Sequence, residues 1–304
     1  IMSDISVLGI FVADISFSGN KIPTIGETIL GSNYDIGPGG KGCNQSIAIA
    51  KLGGNVNFIS KIGKDKYGEL ALNTLKQNNI DTSNILITKD QPTGVAGIMV
   101  DSKTGKNAIN VIVGAASTLT IEEVNSKINK IKSSKIFLTQ LEIPKNVILN
   151  CLKAAKTKNV LTILNPAPAS KIPNEFFKYI DYFTPNEIEA EFYTGIKITN
   201  EKEAKEASIK LLQLGLKKVV ITMGEKGLFY KDYKDEFYIK AIPLKKVLDT
   251  TGAGDAFNGG LAFALSRGDP IKKALKLANN VAALSTLKLG AGKAMPSLND
   301  LKKI

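Results

Sequence analysis

The 304-residue chain contains no histidine, a single arginine (Arg267) and two cysteines, Cys43 and Cys151. The absence of histidine excludes Ser-His and Cys-His catalytic arrangements and histidine-rich zinc sites. A general base therefore has to be Asp, Glu, Lys or Tyr. Two cysteines are too few for a disulfide framework, and this scarcity predicts a protein of the reducing cytoplasm.

Long apolar runs are also missing. No stretch approaches the ~18 apolar residues of a membrane span, and the first residues lack the charge and apolar pattern of a secretory signal, so we expect no membrane partner. The net charge is +12 and comes almost entirely from lysine. These lysines are scattered and often stand beside acids, as in NEKEAKEASIK, without a basic stripe that carries aromatics. This pattern predicts solvated faces and argues against a nucleic-acid partner.

Apolar and amphipathic segments alternate along most of the chain. Residues 5–13 (ISVLGIFVA) form a near-continuous apolar run that is typical of a buried parallel strand. Further strands are predicted at residues 55–63, 135–142, 160–164 and 217–224, and helices at residues 43–54, 65–79, 146–158 and 254–266. The alternation predicts an α/β fold with a mainly parallel central sheet flanked by helices.

Two segments do not fit this alternation. Residues 14–36 are extended and rich in turns, and residues 93–113 form a predicted hairpin across DSKTGKN. Neither segment has the periodicity of a helix. Together they predict a small, separate sheet.

A first glycine-rich stretch, GPGGKG, occupies residues 37–42. It matches the dinucleotide fingerprint G-x-G-x-x-G in form, but the preceding SNYDI is too polar for the buried strand that the fingerprint requires. It also fails as a phosphate loop, because Asp35 stands where the first glycine belongs. Two interpretations remain: a tight turn, or a turn whose backbone approaches a polar ligand before a helix that carries Lys41 and Asn44.

A second glycine-rich stretch, DTTGAGDAFNGG, occupies residues 249–260. Gly252, Ala253 and Gly254 leave backbone amides unobstructed at a predicted helix N-terminus, which is a site for an anion. Asp255 can act there simply as a favourable charge, but a charge alone does not require small residues before it. Amides for a phosphoryl group beside a proton-accepting Asp suit phosphoryl transfer. We expect the field of the helix end to keep Asp255 ionised.

These two stretches resemble the two signatures of the ribokinase (PfkB) family of carbohydrate kinases. The resemblance continues along the chain through PTIGET, STL, QLE, NPAP, TPNEIEAE and ITMGEKG. It implies one ribokinase-like α/β domain over residues 1–304, with a β lid formed by residues 14–36 and 93–113 that also mediates dimerisation. The implied activity is ATP-dependent phosphorylation of the 5-hydroxyl of D-ribose.

The resemblance also implies roles for individual residues. The catalytic base would be Asp255, and the anion hole would be formed by Gly252, Ala253 and Gly254. The sugar would be bound by Asp14, Gly40, Lys41, Asn44, Glu142 and Asp255. ATP would be bound by Asn186, Thr222, Gly224, Gly227, Gly254 and Asn279. Glu189 would act indirectly on Mg²⁺, and K⁺ would be held, largely through backbone oxygens, by Asp249, Thr251, Ser285, Lys288 and Gly290.

Three positions depart from the ribokinase pattern. Val12 replaces an Asn, which removes a hydrogen bond worth roughly 0.5–1.5 kcal/mol and predicts weaker ribose binding or another sugar. Ala116 replaces the Asn of a GAN element. Ala294 replaces a hydroxyl residue of the K⁺ site and predicts weaker activation by K⁺. Two alternatives stay open: a kinase for fructose, deoxyribose or a nucleoside, and a non-enzymatic basic binding protein, against which the glycine-framed Asp255 argues.

Overall fold

The computed structural model describes residues 4–302 and contains two β-sheets surrounded by helices. In chain order the strands are β1 (Ile5–Leu8), β2 (Val12–Gly19), β3 (Asn33–Gly39), β4 (Val56–Gly63), β5 (Ile85–Thr88), β6 (Thr93–Asp101), β7 (Asn107–Gly114), β8 (Ile136–Thr139), β9 (Leu161–Leu164), β10 (Tyr182–Phe183), β11 (Lys218–Thr222), β12 (Leu228–Asp232) and β13 (Glu236–Ile239). The α-helices are α1 (Lys41–Lys51), α2 (Lys66–Gln77), α3 (Ile121–Asn125), α4 (Ile128–Lys132), α5 (Lys145–Lys156), α6 (Glu187–Thr194), α7 (Glu201–Gln213), α8 (Ala253–Ser266), α9 (Ile271–Ser285) and α10 (Leu298–Leu301).

The large sheet has nine strands in the order β13-β12-β11-β10-β9-β8-β1-β4-β5. Neighbouring strands run parallel from β11 through β5, and β12 pairs antiparallel with both β11 and β13. Alternate residues of β1 enter opposite apolar clusters: Val7 packs on the side of α1, α2, α8 and α9, and Leu8 on the side of α5 and α7. Helices therefore cover both faces, which confirms the predicted α/β fold.

The small sheet has four strands in the order β3-β2-β6-β7. It contains the two segments that broke the alternation, with strands that extend slightly beyond residues 14–36 and 93–113. The prediction of a separate small sheet is confirmed. The polar SNYDI belongs to β3, an edge strand whose first residues are exposed, so its polarity correctly excluded a buried strand.

The sequence predicted one strand over the apolar run of residues 5–13, and this prediction is wrong. It supplies β1 of the large sheet, leaves that sheet at Gly9, and enters β2 of the small sheet. A Cβ atom on Gly9 would lie 2.9 Å from the Cα of Gly42, so the chain packs closely on the start of α1 where it passes from one sheet to the other. The run is apolar throughout because Ile10 and Phe11 are buried as well. Burial, rather than a continuous strand, explains the pattern.

The carboxyl ends of the parallel strands place several polar residues along one edge of the large sheet. Gln140 and Glu142 follow β8, Asn165 follows β9, Asn186 follows β10, and Thr222 ends β11. Ligands of open α/β sheets bind at this edge. None of the described helices is both long and apolar enough to cross a membrane.

Candidate active site

Two cavities adjoin at the carboxyl edge of the large sheet. One has a volume of about 170 Å³ and the other of about 780 Å³. Both are lined by Asn186, Thr222 and Gly254, so they meet at these three residues. The small cavity is further lined by Lys41, Asn165, Ala167, Thr184, Glu189, Gly252, Asp255 and Asn258.

Asp255 lies in the first turn of α8 and in the wall of the small cavity. It is 6% exposed, and both carboxylate oxygens accept hydrogen bonds from neighbouring residues of α1. Asn44 Nδ2 donates to Oδ2 at 3.0 Å, and Gln45 Nε2 donates to Oδ1 at 3.1 Å. The carboxylate is therefore held at both ends by amides that can only donate to it.

The N-termini of three helices face the small cavity. Lys41 begins α1, Asn186 caps α6, and Gly252 caps α8, and all three line the cavity. Gly252 has a φ of +78°, and a Cβ atom there would lie 2.9 Å from the Cβ of Ala291, so glycine is required. The first amides of each helix and the positive ends of their dipoles favour an anion.

The three residues of the predicted anion hole stand at the start of α8, but one of their amides is already hydrogen-bonded within the protein. The Ala253 amide already donates to the carbonyl of Thr250 at 3.2 Å. The Gly254 amide lies in the first turn of α8, and a Cβ atom at this position would meet nothing within 4 Å, which leaves open space for a ligand. Of the three predicted amides, that of Ala253 is thus the one with a backbone acceptor in the preceding turn, and the anion hole stays a prediction.

Lys41 is surrounded by carboxylates. Burial works to lower the pKa of its ammonium group, but Asp255, Glu142 and Glu189 outweigh burial and raise the pKa. The backbone amide of Lys41 also donates to Glu142 Oε2 at 3.0 Å. Burial raises the pKa of Glu142 to about 7 despite the opposing charge of Lys41. Lys41 thus stays charged where Glu142 readily takes up a proton.

Burial raises the pKa of Asp255, although Lys41, Asn44 and Gln45 act to lower it. The sequence led us to expect that the helix end keeps this carboxyl ionised. Desolvation acts in the opposite direction and has the larger effect on its pKa. A raised pKa makes the ionised carboxylate a stronger proton acceptor. Asp14 behaves similarly, because burial and the charge of Asp255 raise its pKa to about 6.

The first glycine-rich stretch makes room for Asp14 and for the start of α1. A Cβ atom on Gly39 would lie 2.1 Å from Asp14 Oδ1, and one on Gly40, whose φ is +87°, would lie 2.5 Å from the carbonyl oxygen of Ile10. Residue 40 therefore has to be glycine for the turn itself, and the approach of Gly40 to a sugar stays a prediction. Asn44 Oδ1 is buried without a donor in the described part of the chain, which leaves it able to accept from a ligand.

Val12 and Ala116 are both buried in the extended apolar cluster on one face of the large sheet. Val12 is 3% exposed and packs in the cluster that also contains Ala116, Leu8 and Ile10. Neither side chain can donate or accept a hydrogen bond. The two departures from the family pattern thus lie in the same apolar region.

The large cavity contains all six residues predicted to bind ATP. Asn186, Thr222, Gly224, Gly227, Gly254 and Asn279 line it, together with an apolar wall of Ile242, Pro243, Leu244, Val247, Phe257 and Ala282. Asn279 Nδ2 donates to the carbonyl of Lys240 at 2.9 Å and so fixes the chain that leads into this wall. Gly227 has a φ of +108°, and a Cβ atom there would lie 2.0 Å from the carbonyl oxygen of Ile239.

Glu189 closes a capping box at the start of α6. Its Oε2 accepts from the Asn186 amide at 2.9 Å, while Asn186 Oδ1 accepts from the Glu189 amide at 2.8 Å. No group of three or more Cys, Asp or Glu residues is arranged to bind a metal within residues 4–302. Single carboxylates fit Mg²⁺ that keeps its waters and binds mainly to phosphates.

Asp249 joins two of the segments predicted to hold K⁺. Its Oδ1 accepts from the Thr251 amide at 2.8 Å, and its Oδ2 accepts from the Gly290 amide at 2.9 Å. The Ser285 hydroxyl instead donates to Ala282 in its own helix, and Lys288 is exposed. The structure therefore brings Asp249, Thr251 and Gly290 together, and it gives the Ser285 hydroxyl another partner.

Four polar residues near Asp255 were missed by sequence reasoning: Gln45, Asn165, Thr184 and Asn258. Thr184 Oγ1 donates to Asn258 Oδ1 at 2.7 Å, and Asn258 Nδ2 donates to the Gly254 carbonyl at 2.8 Å. Asn258 stands inside the quoted DTTGAGDAFNGG stretch, one turn after Gly254. Its position on the same helix face was the available signal.

Comparison with known proteins agrees with this geometry. Residues 2–298 match the pfkB family carbohydrate kinase. The chain is 38% identical to a ribokinase of Haemophilus influenzae, over 97% of this chain and 96% of that one. It is 31% identical to a deoxyribokinase of Salmonella typhi, over 99% of this chain and 98% of that one. The structure of Arabidopsis thaliana ribokinase complexed with ribose and ATP has a TM-score of 0.92 at 29% identity, and covers 100% of this chain and 98% of that one.

These matches confirm the predicted ribokinase-like fold and the predicted kinase activity. The alternative of a non-enzymatic basic binding protein is wrong. With both signature stretches framing one pair of cavities, the chain belongs to the pfkB family of carbohydrate kinases.

Proposed function

We propose that the protein transfers the γ-phosphoryl group of ATP to the 5-hydroxyl of D-ribose, with Asp255 as the general base. The observation that carries this proposal is the position of Asp255 in the small cavity, beside Gly254, where the small cavity meets the large one. The sugar would occupy the small cavity and ATP the large one. Relatives named ribokinase, at 36–38% identity, support ribose as the substrate.

The proposed step needs a proton acceptor and a place for negative charge. Asp255 would take the proton of the attacking hydroxyl, while the amides of Gly252 and Gly254 would hold charge on the transferred group. Lys41, which its carboxylate neighbours keep charged, would neutralise the same charge. Asn186, which lines both cavities, and Glu189, which lines the small one, would lie near the ATP phosphates and a hydrated Mg²⁺, whose positive charge would offset theirs.

The sugar would be oriented by acceptors close to Asp255, although Asp14, Glu142 and Asn44 do not themselves line the small cavity. Asp14 and Glu142 both have raised pKa values, so a sugar hydroxyl would meet them as carboxylates only above about pH 6 to 7. Asn44 Oδ1 offers a further acceptor. The second candidate, deoxyribose, which lacks one hydroxyl of ribose, is supported by the deoxyribokinase relative and by Val12, whose side chain forms no hydrogen bond.

A panel of sugars tests the substrate. Ribose, deoxyribose, fructose and a nucleoside are each incubated with ATP, and ADP formation is measured. We expect ribose to have the highest kcat/KM, and the product to carry phosphate on its 5-hydroxyl. A higher kcat/KM for deoxyribose would favour the second candidate.

The same panel, repeated over a KCl series at constant ionic strength, tests the proposal that Ala294 weakens activation by K⁺. Strong saturating activation would contradict that proposal.

Two further properties belong to this proposal. Association of two chains through the small sheet is supported by its exposed apolar residues, which include Phe17, Ile36, Ile109 and Ile112. A sedimentation measurement that gives a monomer at micromolar concentration would contradict it.

The cytoplasmic location stays a prediction, supported by two cysteines that are both free and buried, and fractionation of the source cells would test it.

A further inference from the structure

A chain of two buried glutamine amides leads from Asp255 into the protein interior. Gln45 Nε2 donates to Asp255 Oδ1 at 3.1 Å, and Gln140 Nε2 donates to Gln45 Oε1 at 2.5 Å. Gln45 is 0% exposed, Gln140 is 1% exposed, and neither lines the small cavity. Gln45 thus contacts the proposed base, lines neither cavity, and has its amide hydrogens directed to Asp255 and Asn165.

The orientation of Gln45 is determined from both sides. An ionised carboxylate only accepts hydrogen bonds, so the Gln45 amide has to turn its NH₂ group toward Asp255. Its carbonyl oxygen then points away and is met by the NH₂ group of Gln140. Gln45 Nε2 also lies 3.3 Å from Asn165 Oδ1, which gives its second hydrogen an acceptor. A reversed amide would face the wrong partner on every side.

Gly9 makes room for this arrangement. A Cβ atom at Gly9 would lie 2.3 Å from Gln140 Oε1, so any other residue would push the Gln140 side chain aside. The bend after β1 and the amide chain behind Asp255 are therefore parts of one packing arrangement. This arrangement joins the end of β1, the end of β8 and the first turns of α1 and α8.

We propose that Gln45, held by Gln140, is a positioning residue of the phosphoryl transfer that fixes the orientation of the Asp255 carboxylate for proton acceptance. The inference rests on the proposed function. Without the Gln45 amide, Oδ1 would lose one of the two donors that fix the carboxylate, and the remaining bond from Asn44 would allow it to rotate. The hydroxyl proton would then be taken from a poorer geometry, so kcat would fall much more than the affinity for the sugar, which has other contacts besides Asp255.

The main test is Gln45→Met, which keeps the volume of the side chain and removes its amide. We expect kcat to fall by ~10- to 100-fold, the effect of a lost hydrogen bond to a charged group. KM values for sugar and ATP should stay within about threefold, because Gln45 does not line either cavity. The matched control is Asn57→Leu, which removes another buried amide that donates to Ser6 Oγ, and it should leave kcat unchanged.

The pH profile separates positioning from general destabilisation. The ionisable groups that face Asp255 are Lys41 and Cys43 on α1, Asp14 on β2, Glu142 after β8 and Glu189 on α6. The Gln45 amide lowers the pKa of Asp255, so its loss should move the acid limb of kcat to higher pH. The neighbours contribute to that limb in both proteins, so the difference between the two profiles reports Gln45.

Gln140→Met provides a second test if Gln45→Met does not fold. It leaves the contact with Asp255 intact and frees the far end of Gln45, so we expect a smaller loss of kcat, ~3- to 10-fold, with KM unchanged. A folded variant at either position with the kcat and pH profile of the natural protein would overturn the inference. Wild-type turnover in Asp255→Asn would instead overturn the proposed function, so the two failures are distinguishable.

Discussion

The two adjoining cavities differ in the surface that they offer a ligand. The small cavity is lined by ionisable and amide side chains, such as Lys41, Asp255 and Asn258, whereas much of the large cavity is lined by main chain and apolar side chains such as Ile242 and Leu244. Charges and fixed donors act on a reacting group, and apolar walls act mainly on affinity. A substitution in the small cavity should therefore change kcat or its pH dependence, and one in the large cavity should change KM for ATP.

The largest effect is expected from Asp255→Asn. The variant keeps the size of the side chain but cannot accept the proton, so kcat should fall by ~10²- to 10⁴-fold while KM for ATP changes little. Initial rates at saturating sugar and ATP measure this. Glu206→Gln, which neutralises an exposed acid on α7, is the control and should have the natural rate. If a folded Asp255→Asn variant turns over within tenfold of the natural rate, Asp255 is not the general base.

A second prediction concerns pH and the buried carboxyl group of Glu142, beside Lys41. The carboxyl of Glu142 has a pKa of about 7 in the folded protein and an ordinary value near 4.5 when unfolded. The folded chain binds this proton more tightly than the unfolded chain does. The stability that the bound proton contributes is therefore fully present below pH 4.5 and is lost as the pH rises through 7. Glu142→Gln should therefore be more stable than the natural protein above pH 7, by about 1–3 kcal/mol.

Urea unfolding of both proteins at pH 5 and pH 8, without ligands, measures this difference. The gain in Glu142→Gln should be small at pH 5 and larger at pH 8, while sugar binding should be weakened at both. Glu206→Gln serves again as the control and should unfold like the natural protein at each pH. An equal gain at the two pH values would show that the buried charge is not the cause.

The smallest effect is expected in the large cavity, from Asn279→Leu. The variant leaves the Lys240 carbonyl without the Asn279 donor and loosens the apolar wall that follows it. KM for ATP should rise by ~2- to 10-fold, as expected for one neutral hydrogen bond, with kcat nearly unchanged. The control is Asn150→Leu, which removes a side-chain hydrogen bond to Asn125 outside both cavities. A loss in kcat that exceeds the change in KM would contradict the division between the cavities.

The sequence predicted those parts of the site that depend on local chemistry. Gly252 and Gly40 were recognisable because a helix start and a left-handed turn each impose a local requirement. The bend at Gly9 was not, since it depends on contact with Gly42 and Gln140, which are distant in sequence. The Gln45 contact with Asp255 was missed for the same reason, because the two residues are 210 positions apart. The partner of the Ala253 amide likewise required the conformation of the preceding turn.

The separation of α1 and α8 in sequence has a consequence for biosynthesis. Asn44 is 211 positions before the carboxylate to which it donates, and α1 packs so closely on α8 that a Cβ atom on Gly259 would lie 2.6 Å from that of Ala48. A nascent chain thus carries α1 with an uncovered apolar face and unmatched amides until nearly all of it has left the ribosome. Because such surfaces promote aggregation, a prematurely terminated chain should be insoluble as well as inactive.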